Sequence, residues 1–330
     1  MKDIERRVSA SGVRAAAERL YGVIVKTPLI ENEALNEIAG GRVFLKAEML
    51  QRGGSFKLRG AYNLISQLSE AERRRGVVAW SSGNHAQGVA IAARALGAPA
   101  IIVMPEDAPA IKTEMVRRYG AEIVWYDRYT EDREAIGKKL AEERGMVLAP
   151  SYDHPDIIEG QGTLAHEVCD ELDRIGASLD LFVICCGGGG LTAGCALLLE
   201  DRAPQADVWI AEPEGFDEAW ASVQAGRRLS ADISQKTICD AIATPSPGEL
   251  TFPVMQWRVR GGASLSENDI KSAVAFAYKH LKLVVEPGGA AALAAVLSGK
   301  VPTGDKTTAL TLSGGNIDPA LFSSILRDFA

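Results

Sequence analysis

One lysine, Lys57, sits in the octet Gly53-Gly54-Ser55-Phe56-Lys57-Leu58-Arg59-Gly60, between glycines and at the mouth of a predicted helix. A lysine amine becomes a useful nucleophile when its pKa is lowered or when a carbonyl compound captures it as an imine. The competing reading is an exposed lysine in a basic helix start beside Arg59. A second feature bears on that choice. Gly187, Gly188, Gly189 and Gly190 follow the apolar run 181–186 and open a helical pattern over 191–199. A strand, a glycine turn and a helix N-terminus gather backbone N–H groups under a favourable dipole, which makes an anion site. A plain βα turn needs one or two glycines, whereas a run of them lets the backbone approach a phosphate without a Cβ clash. The loop is not a Walker sequence, and Thr192 and Ala193 stand where a dinucleotide fingerprint would place its last glycine. A single monophosphate fits best.

Two more turns have the same setting. Ser81-Ser82-Gly83-Asn84-His85 follows the apolar run 77–80 and precedes a helix, so its hydroxyls and amide can cap that helix or donate to a carboxylate. Ser313-Gly314-Gly315-Asn316 follows the run ending at Leu312, where a serine hydroxyl can face the crevice of an α/β sheet or merely shape a turn. His166-Glu167 begins like a zinc-protease helix but lacks the second histidine. Glu212, Glu214, Asp217 and Glu218 offer oxygens for magnesium or calcium, or form a solvated acidic loop.

The elements that must position these turns alternate along the chain. Apolar runs at 43–47, 77–80, 100–104, 122–126, 147–149, 181–185, 208–211 and 308–312 read as strands. Helical patterns at 86–96, 110–119, 131–143, 164–175 and 191–199 lie between them, with a last helix over 319–330. Strands joined by helix-length crossovers predict an α/β fold of mostly parallel sheets. So many strands exceed one sheet of average size, so two lobes are expected. One lobe is inserted in the other, because no linker divides the chain. The expected division is 1–66 with 154–330 as the large domain and 67–153 as the small one.

At 330 residues with 47% hydrophobic and 24% charged residues, this is an ordinary globular composition. A net charge of −7 and the lack of a dense Lys/Arg block argue against nucleic acid. No run approaches the length of a membrane span, and the polar start 1–7 does not resemble a signal peptide. The 5 cysteines form no Cys-x-x-Cys pair, which suits a reducing cytoplasm. Beyond the last strand there is space for one helix and no appended regulatory domain.

Taken in order, Ser-Phe-Lys-x-Arg-Gly, Ser-Ser-Gly-Asn-His, Gly-Gly-Gly-Gly and Ser-Gly-Gly-Asn resemble the motifs of the serine/threonine dehydratase and serine racemase family. These are pyridoxal-phosphate enzymes of the tryptophan-synthase-β fold type. Thr27-Pro28-Leu29, Gly160-Gln161-Gly162-Thr163 and Glu286-Pro287 match as well. The resemblance implies a cofactor in the cleft between two lobes, with Lys57 as the lysine that binds it and then acts as acid and base. It implies that Phe56 packs near the ring and that Asn84 bonds its phenolic oxygen. The four glycines would form the phosphate cup, with Ser313 facing the ring nitrogen. A neutral hydroxyl there would leave that nitrogen unprotonated and favour prompt loss of a β-substituent. Ser82 resembles the opposite-face acid and base of racemising members. Ser81, Ser82, Asn84 and His85 would hold the substrate carboxylate, and Arg133 would close on the substrate. Glu212, the Phe216 carbonyl and Glu218 would hold a divalent cation, and a homodimer is implied.

The expected activity is a dehydratase, or ammonia-lyase, converting L-threonine or L-serine to a 2-oxo acid and ammonia. The alternatives are a serine racemase, a 3-hydroxyaspartate dehydratase and a non-catalytic phosphate-ligand-binding protein. Departures from the family pattern leave the substrate open: Glu159 before the Gly-Gln-Gly-Thr motif, Asp240-Ala241, and the stretch 244–250.

Overall fold

The computed structural model describes residues 8–108 and 110–329, without the side chains of 110–112. The segment 1–7 and Ala330, which the sequence adds to the last helix, lie outside the described residues. The first elements are α1 (Ala10–Leu20), β1 (Leu29–Glu31), α2 (Glu33–Ala39), β2 (Arg42–Ala47), α3 (Lys57–Ser66) and α4 (Glu70–Arg75). Next come β3 (Val77–Trp80), α5 (Asn84–Leu96), β4 (Ala100–Pro105), α6 (Ala110–Arg118), β5 (Glu122–Tyr126), α7 (Arg133–Arg144) and β6 (Val147–Leu148). They are followed by α8 (Pro155–Arg174), β7 (Leu181–Cys185), α9 (Gly190–Arg202), β8 (Asp207–Pro213), α10 (Glu218–Ala225) and α11 (Thr251–Arg258). The last are β9 (Val259–Leu265), α12 (Glu267–Phe276), α13 (Ala291–Leu297), β10 (Thr307–Leu312) and α14 (Pro319–Phe329).

A 6-stranded sheet has the order β1-β2-β10-β7-β8-β9, with β1 antiparallel to β2 and every other neighbour parallel. A 4-stranded sheet has the order β5-β4-β3-β6 and is parallel throughout. Every strand of the smaller sheet falls between Val77 and Leu148, and the larger sheet is built from the chain on either side. Helices cover both faces, so the central strand β7 is apolar end to end. All of β7 is buried.

Two strands escape the sequence reading. β1 is only 3 residues long. β9 carries Gly261 and Gly262, which have low strand preference, yet a Cβ on either would strike an indole: Trp209 at 2.2 Å or Trp220 at 2.3 Å. Those glycines seat two tryptophans on the sheet edge. Helix α8 also starts well before the predicted 164–175, at Pro155 behind an N-cap formed by His154. Glycines 160 and 162 obscure that first half by their poor helix propensity. They are there for packing, since a Cβ on Gly160 would lie 2.7 Å from the Gly60 Cα and one on Gly162 would lie 2.5 Å from the Gly194 carbonyl.

Helix α3, which begins at Lys57, is held from both sides. Leu58, Ala61, Leu64 and Ile65 pack with Val77, Ala79 and Val89 in the core of the smaller sheet. Arg59 is fully buried, with 2.7 Å to Glu48 and 2.8 Å to Glu167. Burial opposes its charge, but Glu48 and then Glu167 more than offset that and raise its pKa. Lys46, also fully buried, bridges Glu167 and Glu171 at 2.8 Å each. Deleting one member of such a buried network costs about 3–5 kcal/mol, because a charge is left without its partner. Glu159, the odd residue before Gly160, is explained here too: its Oε1 accepts from the Ser9 N–H at 3.1 Å, at the positive end of α1. Among the described residues no helix is long and apolar enough to cross a membrane.

Candidate active site

The carboxyl ends of β3, β6, β7 and β10 converge on a cavity of about 460 Å³, lined by loops from both sheets. That is where α/β folds bind ligands. Lys57, Phe56, Ser81, Ser82, Asn84, His85, Arg133, the four glycines and Ser313 all line it.

Lys57 is the first residue of α3, and its Nζ donates to the Ser151 carbonyl at 3.0 Å. Burial lowers its pKa from 10.5 to about 8, with Cys185 and Glu286 acting in the opposite direction. The amine is therefore far closer to its nucleophilic, neutral form at physiological pH than an exposed lysine. The Phe56 ring lies 5.1 Å from Nζ.

The glycine turn joins β7 to α9 under close cover. Gly189 takes φ +90° as the N-cap of α9, and a Cβ there would lie 2.7 Å from Met255. A Cβ on Gly188 would be 2.5 Å from the Tyr152 ring, and one on Gly187 would be 2.8 Å from the Ile242 carbonyl. Only glycine lets this backbone lie so close to its surroundings while keeping its amides free to face an anion. A desolvated lysine and a glycine-lined helix N-terminus in one cavity fit an aldehyde that carries a phosphate.

Asn84 and His85 open α5, behind the Ser81 and Ser82 turn. His85 Nε2 lies 2.7 Å from the Ala149 carbonyl and so carries the hydrogen, while buried Nδ1 has no partner among the described residues. Burial, with Lys57 nearby, pushes its pKa down to about 3, so the ring stays neutral. A neutral imidazole cannot attract the substrate carboxylate as a cation would. Arg133 begins α7 and reaches the same cavity from the smaller sheet.

The expected cation ligands, Glu212, Phe216 and Glu218, stand at the end of β8 and in the turn that opens α10. Neither Glu212 nor Glu218 lines the cavity, and among the described residues no group of three His, Cys, Asp or Glu is arranged to hold a metal. Glu212 accepts from the Ala219 and Trp220 N–H groups at 3.0 and 2.9 Å, capping α10. Its pKa is raised well above the usual range by burial and by Glu218. Burial likewise raises Glu218 to about 7, and its Oε2 is buried without a partner among the described residues. The Phe216 N–H donates to the Pro213 carbonyl at 3.0 Å, shaping the turn between them.

Several lining residues gave little sequence signal. Tyr152 follows β6 and covers the glycine turn, with Arg133 and Arg228 both within electrostatic reach of its hydroxyl. Cys185 is an ordinary apolar strand residue by pattern. Glu286, noted only as part of a matching dipeptide, is a lone carboxylate in an apolar stretch, which was the signal available.

Residues 20–314 match the family described as pyridoxal-phosphate dependent enzyme. The chain belongs to that family. An L-threo-3-hydroxyaspartate ammonia-lyase from Pseudomonas sp is 43% identical over 94% of this chain and 96% of its own. The maize serine racemase structure superposes with a TM-score of 0.90 at 35% identity, covering 98% of both chains. The T.th. threonine deaminase structure gives 0.87 at 41% identity, covering 94% of this chain and 99% of the other. The likeness spans both sheets, and the α/β architecture expected from the sequence is the family's.

Proposed function

We propose that this enzyme is an ammonia-lyase whose preferred substrate is 3-hydroxyaspartate, which it converts to a 2-oxo dicarboxylic acid and ammonia. The observation that carries the substrate choice is that two guanidinium groups, Arg133 and Arg228, line the one cavity, with Glu134 and Asp153 beside them. One arginine serves the α-carboxylate common to all amino acids, and a second matches a substrate with another carboxylate. The likeness to the Pseudomonas lyase supports the same choice. This moves the preference away from threonine and serine.

Pyridoxal phosphate, when bound, supplies the electron sink that makes loss of the α-proton feasible. The glycine turn would hold its phosphate, Lys57 its aldehyde carbon, Asn84 its phenolic oxygen and Ser313 its ring nitrogen. Lys57 then carries the α-proton from one side. Ser82, with His85 neutral behind it, faces the cavity as the second proton-carrying group. That placement favours a second reading, racemisation of serine, since exchange of a proton on two faces needs two groups.

We assign 67–153 to a small domain that closes over the cavity and the remainder to a large one, supported by the division of strands between the sheets. The Glu212, Phe216 and Glu218 turn is our candidate for a magnesium or calcium site. Five buried free cysteines suit a cytoplasmic location, and we expect a homodimer.

A panel of 3-hydroxyaspartate, threonine and serine, assayed for 2-oxo acid with magnesium or with a chelator, tests the reading. Turnover fastest on 3-hydroxyaspartate supports it. Faster turnover of threonine or serine overturns the substrate choice, and silence on all three overturns the lyase. Chiral analysis of recovered serine decides the second reading.

A further inference from the structure

Asn84 is held by a one-way relay of hydrogen bonds. The Gly53 carbonyl has only lone pairs to offer, so the Asn316 amide nitrogen 2.8 Å away must be the donor. The same nitrogen gives its second hydrogen to Asn84 Oδ1 at 2.7 Å. Asn84 Nδ2 is thereby turned to Glu286, whose Oε1 accepts from it. A flipped Asn84 would set oxygen against the Glu286 carboxylate and nitrogen against the Asn316 nitrogen, two repulsions at once. One hydrogen of Asn84 Nδ2 remains, on a buried side chain that lines the cavity.

The backbone is stitched around this relay. The Glu286 N–H donates to the Gly314 carbonyl at 3.0 Å, and the Gly315 N–H to the Gly54 carbonyl at 2.9 Å. A Cβ on Gly314 would fall 2.1 Å from Glu286 Oε1 and 3.2 Å from Asn84 Nδ2, so glycine there lets the pair meet. Asn84 belongs to the helix after β3 of the smaller sheet, while Asn316 and Glu286 flank β10 of the larger one.

We propose that Asn316 and Glu286 are positioning residues that lock the Asn84 carboxamide as a pure donor into the cavity, so that it stabilises an anionic oxygen on the bound ring. Asn316 does not line the cavity and acts only through Asn84. The inference rests on the cofactor reading. A donor aimed at a phenolic oxygen favours its ionised form and holds its pKa down, so loss of the lock raises that pKa and weakens binding.

The test loads wild-type, Asn316→Asp, Glu286→Gln and Asn84→Asp proteins with pyridoxal phosphate and follows the visible band against pH. Asn316→Asp exchanges the relay's donor for an acceptor, and Glu286→Gln removes the carboxylate that holds the Asn84 amide nitrogen and one of the two repulsions against the flip. Both are expected to weaken cofactor binding roughly tenfold, what one hydrogen bond to a charged oxygen provides. Both should also move the visible titration upward, as should Asn84→Asp. A purely structural role would lower thermal stability and leave that titration in place, which overturns the proposal. A wild-type protein that develops no visible band overturns the cofactor reading along with it, whereas a wild-type band with unmoved variants overturns the lock alone.

Discussion

The Phe56 N–H donates to the Ser313 carbonyl at 3.1 Å, and the next peptide units close an antiparallel bridge between Ser55 and Gly314. The chain segment that delivers Lys57 is therefore fastened to the end of β10, more than 250 residues later in sequence. Arg59, two residues beyond Lys57, fastens the start of α3 to the turn after β2 and to α8 through Glu48 and Glu167. The lysine amine is placed by these backbone and ionic ties on either side, so its own side chain is free to change partners.

The lowered pKa of Lys57 sets a pH at which it captures an aldehyde. In cofactor-free protein, borohydride-fixed labelling by pyridoxal phosphate should rise through about pH 8, where an exposed lysine would need a pH near 10.5. Lys57→Ala should lose the label and reduce turnover by a factor of about 10² or more, typical of a lost proton-transfer group. Labelling that continues undiminished in Lys57→Ala would place the reactive amine elsewhere.

Gly189 should tolerate no side chain. Its φ of +90° is unfavourable for alanine, and the new methyl would lie 2.7 Å from the Met255 methyl and 2.9 Å from Thr251 Oγ1. Thr251 Oγ1 in turn donates to the Gly188 carbonyl at 2.6 Å, so a displaced threonine disturbs the whole turn. Gly189→Ala is expected to cost about 1–3 kcal/mol by chemical denaturation and to weaken cofactor binding. Wild-type stability with wild-type cofactor affinity would contradict the close fit.

The sequence made the site's backbone legible because glycine turns and apolar strands leave local signatures. Gly187, Gly188, Gly189, Gly190 and Ser313 each follow a strand that periodicity detects, and Lys57 opens a predicted helix. What it concealed depends on contacts distant in sequence. Glycines 160 and 162 look like helix breakers until α3 and α9 are seen pressed against them, and Gly261 and Gly262 look like a turn until the two indoles cover them. The acidic group at Glu212 and Glu218 reads as a cation site or a solvated loop, and neither reading reveals that Glu212 caps the N-terminus of α10 outside the cavity lining. Nothing local to Tyr152 or Arg228 distinguishes them, and Glu286 shows only as a carboxylate in an apolar stretch, since their roles come from loops that meet only in the folded chain.

His85 makes the fold sensitive to acid. Burial lowers its folded pKa to about 3 from 6.5, so between those values the unfolded chain takes up a proton that the folded chain refuses. The unfolded state binds more protons there, and stability falls as pH drops below about 6.5. The group contributes up to about 1.4 kcal/mol per pH unit across that window. His85→Gln can still donate to the Ala149 carbonyl but does not titrate, so its unfolding free energy should fall less steeply between pH 6.5 and 4. Parallel slopes for the two proteins would mean that His85 is protonated in the folded state.

Arg228 offers the sharpest separation of substrates. Its Nε donates to the Pro247 carbonyl at 2.9 Å and its Nη1 meets Glu249 at 3.2 Å, so the guanidinium is held by the 244–250 stretch that departs from the family pattern. With Arg133 approaching Tyr152 from the smaller sheet, a substrate carrying two carboxylates can engage both cations, whereas serine or threonine engages one. Arg228→Ala should therefore raise KM for 3-hydroxyaspartate roughly tenfold or more, the effect of one charge-assisted hydrogen bond, with kcat little changed. For serine the same substitution should leave kcat/KM within about twofold, because no second carboxylate is lost from the complex. Arg133→Ala should impair both substrates, since the proposed role has it close on the part of the substrate they share. Steady-state kinetics on the two substrates reads this directly: equal losses for serine and 3-hydroxyaspartate in Arg228→Ala would remove the second carboxylate from the cavity and return the substrate to a monocarboxylic hydroxy amino acid.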